Sequence, residues 1–176
     1  MLNTITGLLS GGVAPTDYES ISTQTVGGGG SASITFSSIP STYTHLQIRF
    51  IALGGASYRL ASQFNSDTGA NYSWHALQGS GSTATADAAT SATSMKVGET
   101  IATYPTVGVI DILDYANTNK YKTIRTLEGF DANGSGYIQL FSGNWRSTSA
   151  ITSITLGTLI SGSMNQYSSF ALYGIK

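Results

Sequence analysis

The sequence contains no cysteine. Disulfide bonds and thiolate metal sites such as zinc fingers are therefore excluded. Charged residues are also scarce, at 10% of the 176 residues, compared with roughly 25% in ordinary globular proteins. With a formal net charge of -1, the chain cannot present the basic patch that nucleic acid requires. We therefore expect no nucleic-acid partner.

Long apolar runs are missing as well. No stretch approaches the 18 or more apolar residues of a membrane helix. The N-terminus has no Lys or Arg before its apolar residues, so it lacks the pattern of a secretory signal. We expect a soluble protein with no membrane partner and no export signal of its own.

Short alternating segments rich in β-branched and aromatic residues make up most of the chain from residue 18 onward. Turn-forming Gly, Asn, Asp, Ser and Pro separate them, and no convincing helix is present. Nine or ten short strands at this length predict an all-β fold, an antiparallel two-sheet β-sandwich that is jelly-roll-like. We expect one sandwich domain at 18–176, preceded by a short N-terminal arm at 1–17.

The longest uninterrupted strand pattern runs from Thr106 to Phe130. It predicts an antiparallel hairpin with arms Val107–Tyr115 and Lys120–Glu128. Both faces of the first arm carry large apolar groups, which places the hairpin inside a sheet and not at its edge. Charges of both signs lie close together, which predicts cross-strand pairing in preference to a catalytic cluster, among Asp111, Asp114, Lys120, Lys122, Arg125 and Glu128.

The N-terminal arm has one apolar side, because large aliphatic residues recur at three-to-four-residue spacing at Leu2, Ile5, Leu8 and Leu9. Gly11, Gly12 and Pro15 then stop any helix. The arm is either a frayed terminus or a segment that docks on a partner subunit, where its apolar residues would be covered.

A low-complexity stretch of small residues follows at Gly79–Thr93. It has no periodicity and too few apolar groups to pack by itself. We expect an exposed loop and a candidate partner contact.

Metal sites and enzymatic sites are not indicated. Asp131, Asn133, Ser135 and Gly136 match the start of a calcium-binding loop, but Ser142 stands where the bidentate Glu is needed, so a hairpin turn explains them better. The two histidines, at 45 and 75, have no further ligands at metal spacing. We expect no metal and no cofactor.

Catalytic signatures are equally missing from the pattern. No Gly-x-Ser-x-Gly elbow is present, and the Gly27–Gly30 run precedes a predicted strand, not the helix of a phosphate loop. Asp111 and Asp114, the closest acidic pair in the hairpin, should lie on opposite faces of a strand. We therefore expect no catalytic residues and no enzyme.

Aromatic residues leave two alternatives open. Trp74 and Trp145, with several tyrosines, could form a platform on which sugars stack. In a sandwich the same residues more often fill the core or a subunit interface.

Six segments resemble a group of small virion proteins of tailed bacteriophages, and together they cover nearly everything after Asp17. They are YESIST at 18–23, FSSIPSTYTHLQIR at 36–49, NSDTGANYSWH at 65–75, IDILDYANTNKYKTIR at 110–125, GNWRSTSAITSITL at 143–156 and FALYGIK at 170–176. Members of this group often have Asn-Gly-Asp-Thr-Gly where this chain has Asn-Ser-Asp-Thr-Gly at 65–69.

The resemblance implies a structural component of the virion, assembled in the host bacterial cytoplasm. It implies either a capsid decoration (cement) protein that binds the major capsid protein, or a tail, baseplate or fibre component that binds host-surface glycans. The compact domain, the apolar arm and the low charge favour the capsid shell. A homo-oligomer is expected, and a trimer would suit the threefold positions of a shell.

Overall fold

The computed structural model describes residues 17–176, and the arm residues Leu2, Ile5, Leu8 and Leu9 lie outside this range. The described chain contains twelve strands and no helix. They are β1 (Tyr18–Thr25), β2 (Ser33–Phe36), β3 (His45–Ala52), β4 (Tyr58–Phe64), β5 (Tyr72–Gly79), β6 (Ala84–Ala92), β7 (Met95–Thr100), β8 (Thr106–Ile112), β9 (Lys122–Asp131), β10 (Gly136–Trp145), β11 (Ile154–Gly157) and β12 (Ser169–Ile175).

The strands form two antiparallel sheets. The larger has eight strands in the order β1-β12-β3-β8-β9-β10-β5-β6, and the smaller has four in the order β2-β11-β4-β7. Their inward-facing side chains form one apolar core, so the predicted all-β two-sheet sandwich is confirmed. Between residues 17 and 176 no helix is present that could span a membrane.

The core follows directly from the alternation of residues along the strands. Along β3, for example, Leu46, Ile48 and Phe50 are buried while the residues between them point away from the core. Full burial of side chains of this size contributes about 1.5–3 kcal/mol each. The four-stranded sheet packs closely, because Met95 of β7 lies against Gly143 of β10, where a Cβ would be 2.1 Å from the Met95 sulfur.

The predicted central hairpin is present as β8 and β9, in the middle of the larger sheet. Its first arm ends at Ile112 and not at Tyr115, because Asp114 has a positive φ of 48° that breaks the extended conformation. Asp111 therefore lies on a strand and Asp114 lies in the turn, so they do not occupy opposite faces of one strand as expected.

The Gly79–Thr93 segment is not a loop, and this prediction was wrong. Residues Ala84–Ala92 form β6, which pairs with β5 at the edge of the larger sheet. A tight turn precedes it, in which the Ser80 amide donates to the Thr83 carbonyl at 3.0 Å. An edge strand takes its backbone hydrogen bonds from one neighbour and needs no apolar face, so small residues suffice.

Candidate functional site

The outer face of the larger sheet, which points away from the core, is divided into two halves of different chemistry. The register of the strands brings large aliphatic side chains together at one end of this face. They are Ile51, Leu77, Val107, Val109, Leu127, Ile138 and Leu140, here called the apolar half-face. Val107 is 53% exposed, Leu77 54% and Ile138 58%. Clusters of exposed aliphatic residues of this kind mark sites that another molecule covers.

A groove of about 880 Å³ runs through the apolar half-face. In the strand pairing, Gly129 lies between Val107 and Ile138, and Gly79 lies on the other side of Ile138. Because these two glycines carry no side chain, the aliphatic residues beside them stand above the sheet as walls. The arrangement can hold a narrow apolar segment, and it offers little hydrogen bonding.

Gly108 of β8 lies beneath the groove, on the side of the strand that faces the core. A Cβ at this position would lie 2.5 Å from the Phe50 ring and 2.7 Å from Cβ of Glu128. The side chains of Phe50 and Glu128 therefore meet beneath the strand, and only glycine leaves room for both of them.

The other half of the outer face is polar and internally bonded. Asp111 and Arg125 face each other across β8 and β9, with Arg125 Nη2 3.3 Å from Asp111 Oδ2. Gln47 Nε2 donates to Asp111 Oδ1 at 2.9 Å, and the Arg49 guanidinium lies over the Tyr18 and Tyr173 rings. The Asp111–Arg125 pair is a cross-strand charge pair of the kind that the sequence predicts for the hairpin.

Two other hairpin charges do not pair as expected. Lys122 is fully buried on the core side, where its Nζ donates to the carbonyls of Lys120 at 3.0 Å and Thr148 at 3.1 Å, and to that of Asn117. Burial lowers the pKa of Lys122. Lys122 therefore donates its hydrogen bonds to backbone carbonyls and not to a carboxylate.

Glu128 is a buried carboxyl group on the inward face of β9. It is 2% exposed, and neither carboxylate oxygen makes a hydrogen bond of ordinary geometry within residues 17–176. Burial, and then the nearby Glu99 carboxylate, raise the pKa of Glu128 to about 8. The side chain is therefore largely protonated at neutral pH, directly beneath the groove.

Trp74 and Trp145 lie in the core, at 5% and 2% exposure. Trp145 packs against Phe64 and Tyr72, and Arg59 and Lys96 lie over the Trp74 ring. Neither ring offers a free face at the surface, so a sugar platform built on these two residues is not supported. The core alternative fits their placement.

The Asp131 turn joins β9 to β10 as a tight hairpin. Its central residues Asn133 and Gly134 both have positive φ, and the Ala132 amide donates to the Ser135 carbonyl at 2.8 Å. Asp131 Oδ1 accepts a hydrogen bond from the Asn133 amide. No group of three His, Asp or Glu side chains in the described chain could hold a metal ion.

The two histidines lie apart on the larger sheet. His45 Nδ1 accepts a hydrogen bond from the Asp114 amide at 3.0 Å, and His75 is exposed on β5. Hydrogen bonding from Lys120 lowers the pKa of the Asp114 carboxyl, which also lies 3.5 Å from His45 Nδ1. The contacts of His45 with Asp114 thus connect the turn after β8 to β3.

The sequence already contained a signal for the apolar half-face. Large apolar residues occupy both faces of β8, which predicts a strand inside a sheet, and the strand is indeed central. One of its two faces nevertheless remains uncovered by the described chain.

No protein-family model matches the chain, and neither a curated protein nor a solved structure shows significant similarity to it.

Proposed function

We propose that this chain is a structural protein of a tailed-bacteriophage virion, a decoration protein that binds the outer surface of the major capsid shell and stabilises it. The observation that carries the proposal is the apolar half-face, an exposed aliphatic surface on a rigid sheet. Such a surface is suited to permanent contact with another protein. The phage assignment itself rests on the six segments that resemble virion proteins.

The strand connections support a capsid role. Eight strands form the blocks β1-β12-β3-β8 and β2-β11-β4-β7, and consecutive members of this set lie in opposite sheets except for β4 and β7. The β5–β6 and β9–β10 pairs extend the larger sheet. This alternation fits the jelly-roll arrangement, which viral capsid domains commonly use. The charge-poor composition fits as well, because few charges must be desolvated when subunits pack.

Many weak contacts would act together on a shell. A homo-oligomer that engages several capsid subunits at once gains affinity through avidity, without any single strong contact. A trimer at a threefold or quasi-threefold position is the arrangement that we propose.

Counting copies of the protein in purified virus particles tests the location. A decoration protein should be present in many copies and should coat the shell surface in electron micrographs after antibody labelling. A few copies restricted to the tail would contradict the proposal and would favour the tail component.

Deleting residues 1–16 tests the binding mode. The shortened protein should keep the far-ultraviolet circular dichroism of the folded sandwich and should lose binding to shells stripped of the wild-type protein. Undiminished shell binding by the folded variant would show that residues 1–16 are not needed for binding to the shell.

A further inference from the structure

The groove of the apolar half-face has a shape that selects among possible occupants. Its walls are formed by Val107 and Ile138, with Gly129 between them and Gly79 beyond. A second, flat sheet face would rest on the Val107 and Ile138 side chains and leave the space between them empty, so that van der Waals contacts would be lost. A narrow segment with projecting aliphatic side chains would fill it.

Such a segment exists in the same chain, at residues 1–16. It contains no charged side chain, and its large aliphatic residues are Leu2, Ile5, Leu8 and Leu9. The exposed charged residues that line the groove are Arg49 and Asp131. The segment therefore brings no charged side chain into the groove, where such a side chain would be buried without a partner.

The direction of β1 indicates which copy supplies the segment. Tyr18, the first residue of β1, pairs with Ile175, which in turn pairs with His45. Thr25, the last residue, pairs with Ser169 and through it with Ile51 at the groove end. Residues 1–16 thus join the sheet at the end opposite to the groove.

Sixteen residues span at most roughly 55 Å when extended. To enter the groove of its own copy, the segment would have to reverse direction and cross the polar half of the outer face. To enter the groove of a second copy placed head to tail, it only has to continue along the line of β1.

We infer that the groove binds the N-terminal segment, residues 1–16, of a neighbouring copy of this chain. The contact is heterologous, because one surface of each copy meets a different surface of the next, and it produces a closed ring when the rotation between copies closes. The inference rests on the proposed function for the presence of a homo-oligomer. It assigns the apolar half-face to contacts between copies, so that binding to the shell is a property of the assembled oligomer.

Engineered disulfides test the inference directly, because the wild-type chain has no cysteine. One full-length preparation carries Leu8→Cys, and a second, extended by a mass tag, carries Ile138→Cys. The two are mixed and mildly oxidised. We expect a disulfide-linked heterodimer, since a disulfide forms only when the two Cβ atoms approach within about 4.5 Å.

The matched control replaces Ile138→Cys by Ser142→Cys, on the same strand but in the polar half of the outer face. It should give several-fold less heterodimer. Equal yields from both pairs would overturn the inference. So would an intrachain disulfide as the main product of the doubly substituted Leu8→Cys, Ile138→Cys variant, since the segment would then occupy the groove of its own copy.

Sedimentation velocity provides an independent measurement in solution. The Leu8→Asp, Leu9→Asp variant changes no residue of the described sandwich and should sediment as a smaller species than the wild type. An unchanged sedimentation coefficient would overturn the inference. These experiments use isolated protein and do not depend on the capsid. If the heterodimer of the Leu8→Cys and Ile138→Cys preparations forms but the protein does not bind shells, only the capsid proposal is contradicted.

Discussion

The indole Nε1 of Trp145 donates a hydrogen bond to Oδ2 of Asp67 across 2.7 Å, and this contact ties the end of β10 to the turn between β4 and β5. The same carboxylate accepts hydrogen bonds from Asn71 Nδ2 and from the Gly69 amide. Partial burial acts to raise the pKa of Asp67, but these hydrogen bonds outweigh it and the pKa is lowered. Asp67 therefore organises its turn in the ionised form.

Asp67→Ala should lower the free energy of unfolding by about 1–3 kcal/mol, because three donors lose their acceptor. A lowered pKa stabilises the fold above the ordinary value of 3.8, so the difference from wild type should shrink as the pH falls below that value. Urea denaturation followed by tryptophan fluorescence measures both effects. The control is Asp131→Ala in another turn, whose carboxylate accepts one amide. Equal losses in both variants would contradict the role of the Trp145 contact.

Glu128→Gln should stabilise the protein at alkaline pH. The pKa of Glu128 is about 8 in the fold against an ordinary value of 4.5, so folding takes up a proton between these values. Wild-type stability should accordingly fall by up to about 1.4 kcal/mol for each pH unit in that window and level off above it. The side-chain amide of glutamine does not titrate, so the Glu128→Gln variant should lack this pH dependence of stability.

Denaturant titrations at pH 5, 6.5, 8 and 9 would measure the change for Glu128→Gln. Asp131→Asn, which alters an exposed carboxylate, serves as the control and should keep the wild-type slope. A Glu128→Gln variant with the wild-type slope would show that the buried carboxyl does not titrate in this range.

Gly108→Ala should destabilise the fold by about 1–3 kcal/mol, the usual cost of overpacking a core. The added Cβ would meet Phe50 at 2.5 Å and Glu128 at 2.7 Å. Gly79→Ala is the matched control in the same groove, because its nearest contact would be an ordinary 3.8 Å to Ile138. Thermal unfolding distinguishes the two, and equal melting temperatures would contradict the close packing beneath Gly108.

Ser66→Gly should stabilise the turn after β4. Ser66 has a φ of 57°, a left-handed conformation that costs an L-residue about 1 kcal/mol and glycine almost nothing. We expect a gain of up to about 1 kcal/mol in denaturant titrations, whereas Ser82→Gly, an exposed residue of another turn, should give no gain.

The strands were predictable wherever apolar and polar residues alternate. β3 is an example, since a half-buried strand requires this alternation. The sequence pattern does not predict β6, because its residues are small on both sides and its conformation is determined by the hydrogen bonds that β5 supplies. No local pattern encodes that dependence on a neighbour.

The candidate site was less predictable than the fold. Val107 and Ile110 look equally suited to a core, and only the position of the second sheet decides that Ile110 is buried and Val107 is exposed. Glu128 was expected to join a charge pair, since the sequence does not reveal that the inward face of β9 carries it beneath Gly108. Trp145 is apolar and aromatic, which suits a core and a binding platform alike.

β6 bounds the larger sheet, and its side chains are mostly exposed on both faces. A bare strand edge can recruit further strands from other molecules, which leads to uncontrolled fibrous growth. Here the Asp87 carboxylate accepts the amide of Ala88 at 2.8 Å, and the pairing with β5 is interrupted by a bulge between Tyr72 and Trp74. One acidic side chain and one irregularity thus make the edge a poor template, which disfavours polymerisation through the larger sheet.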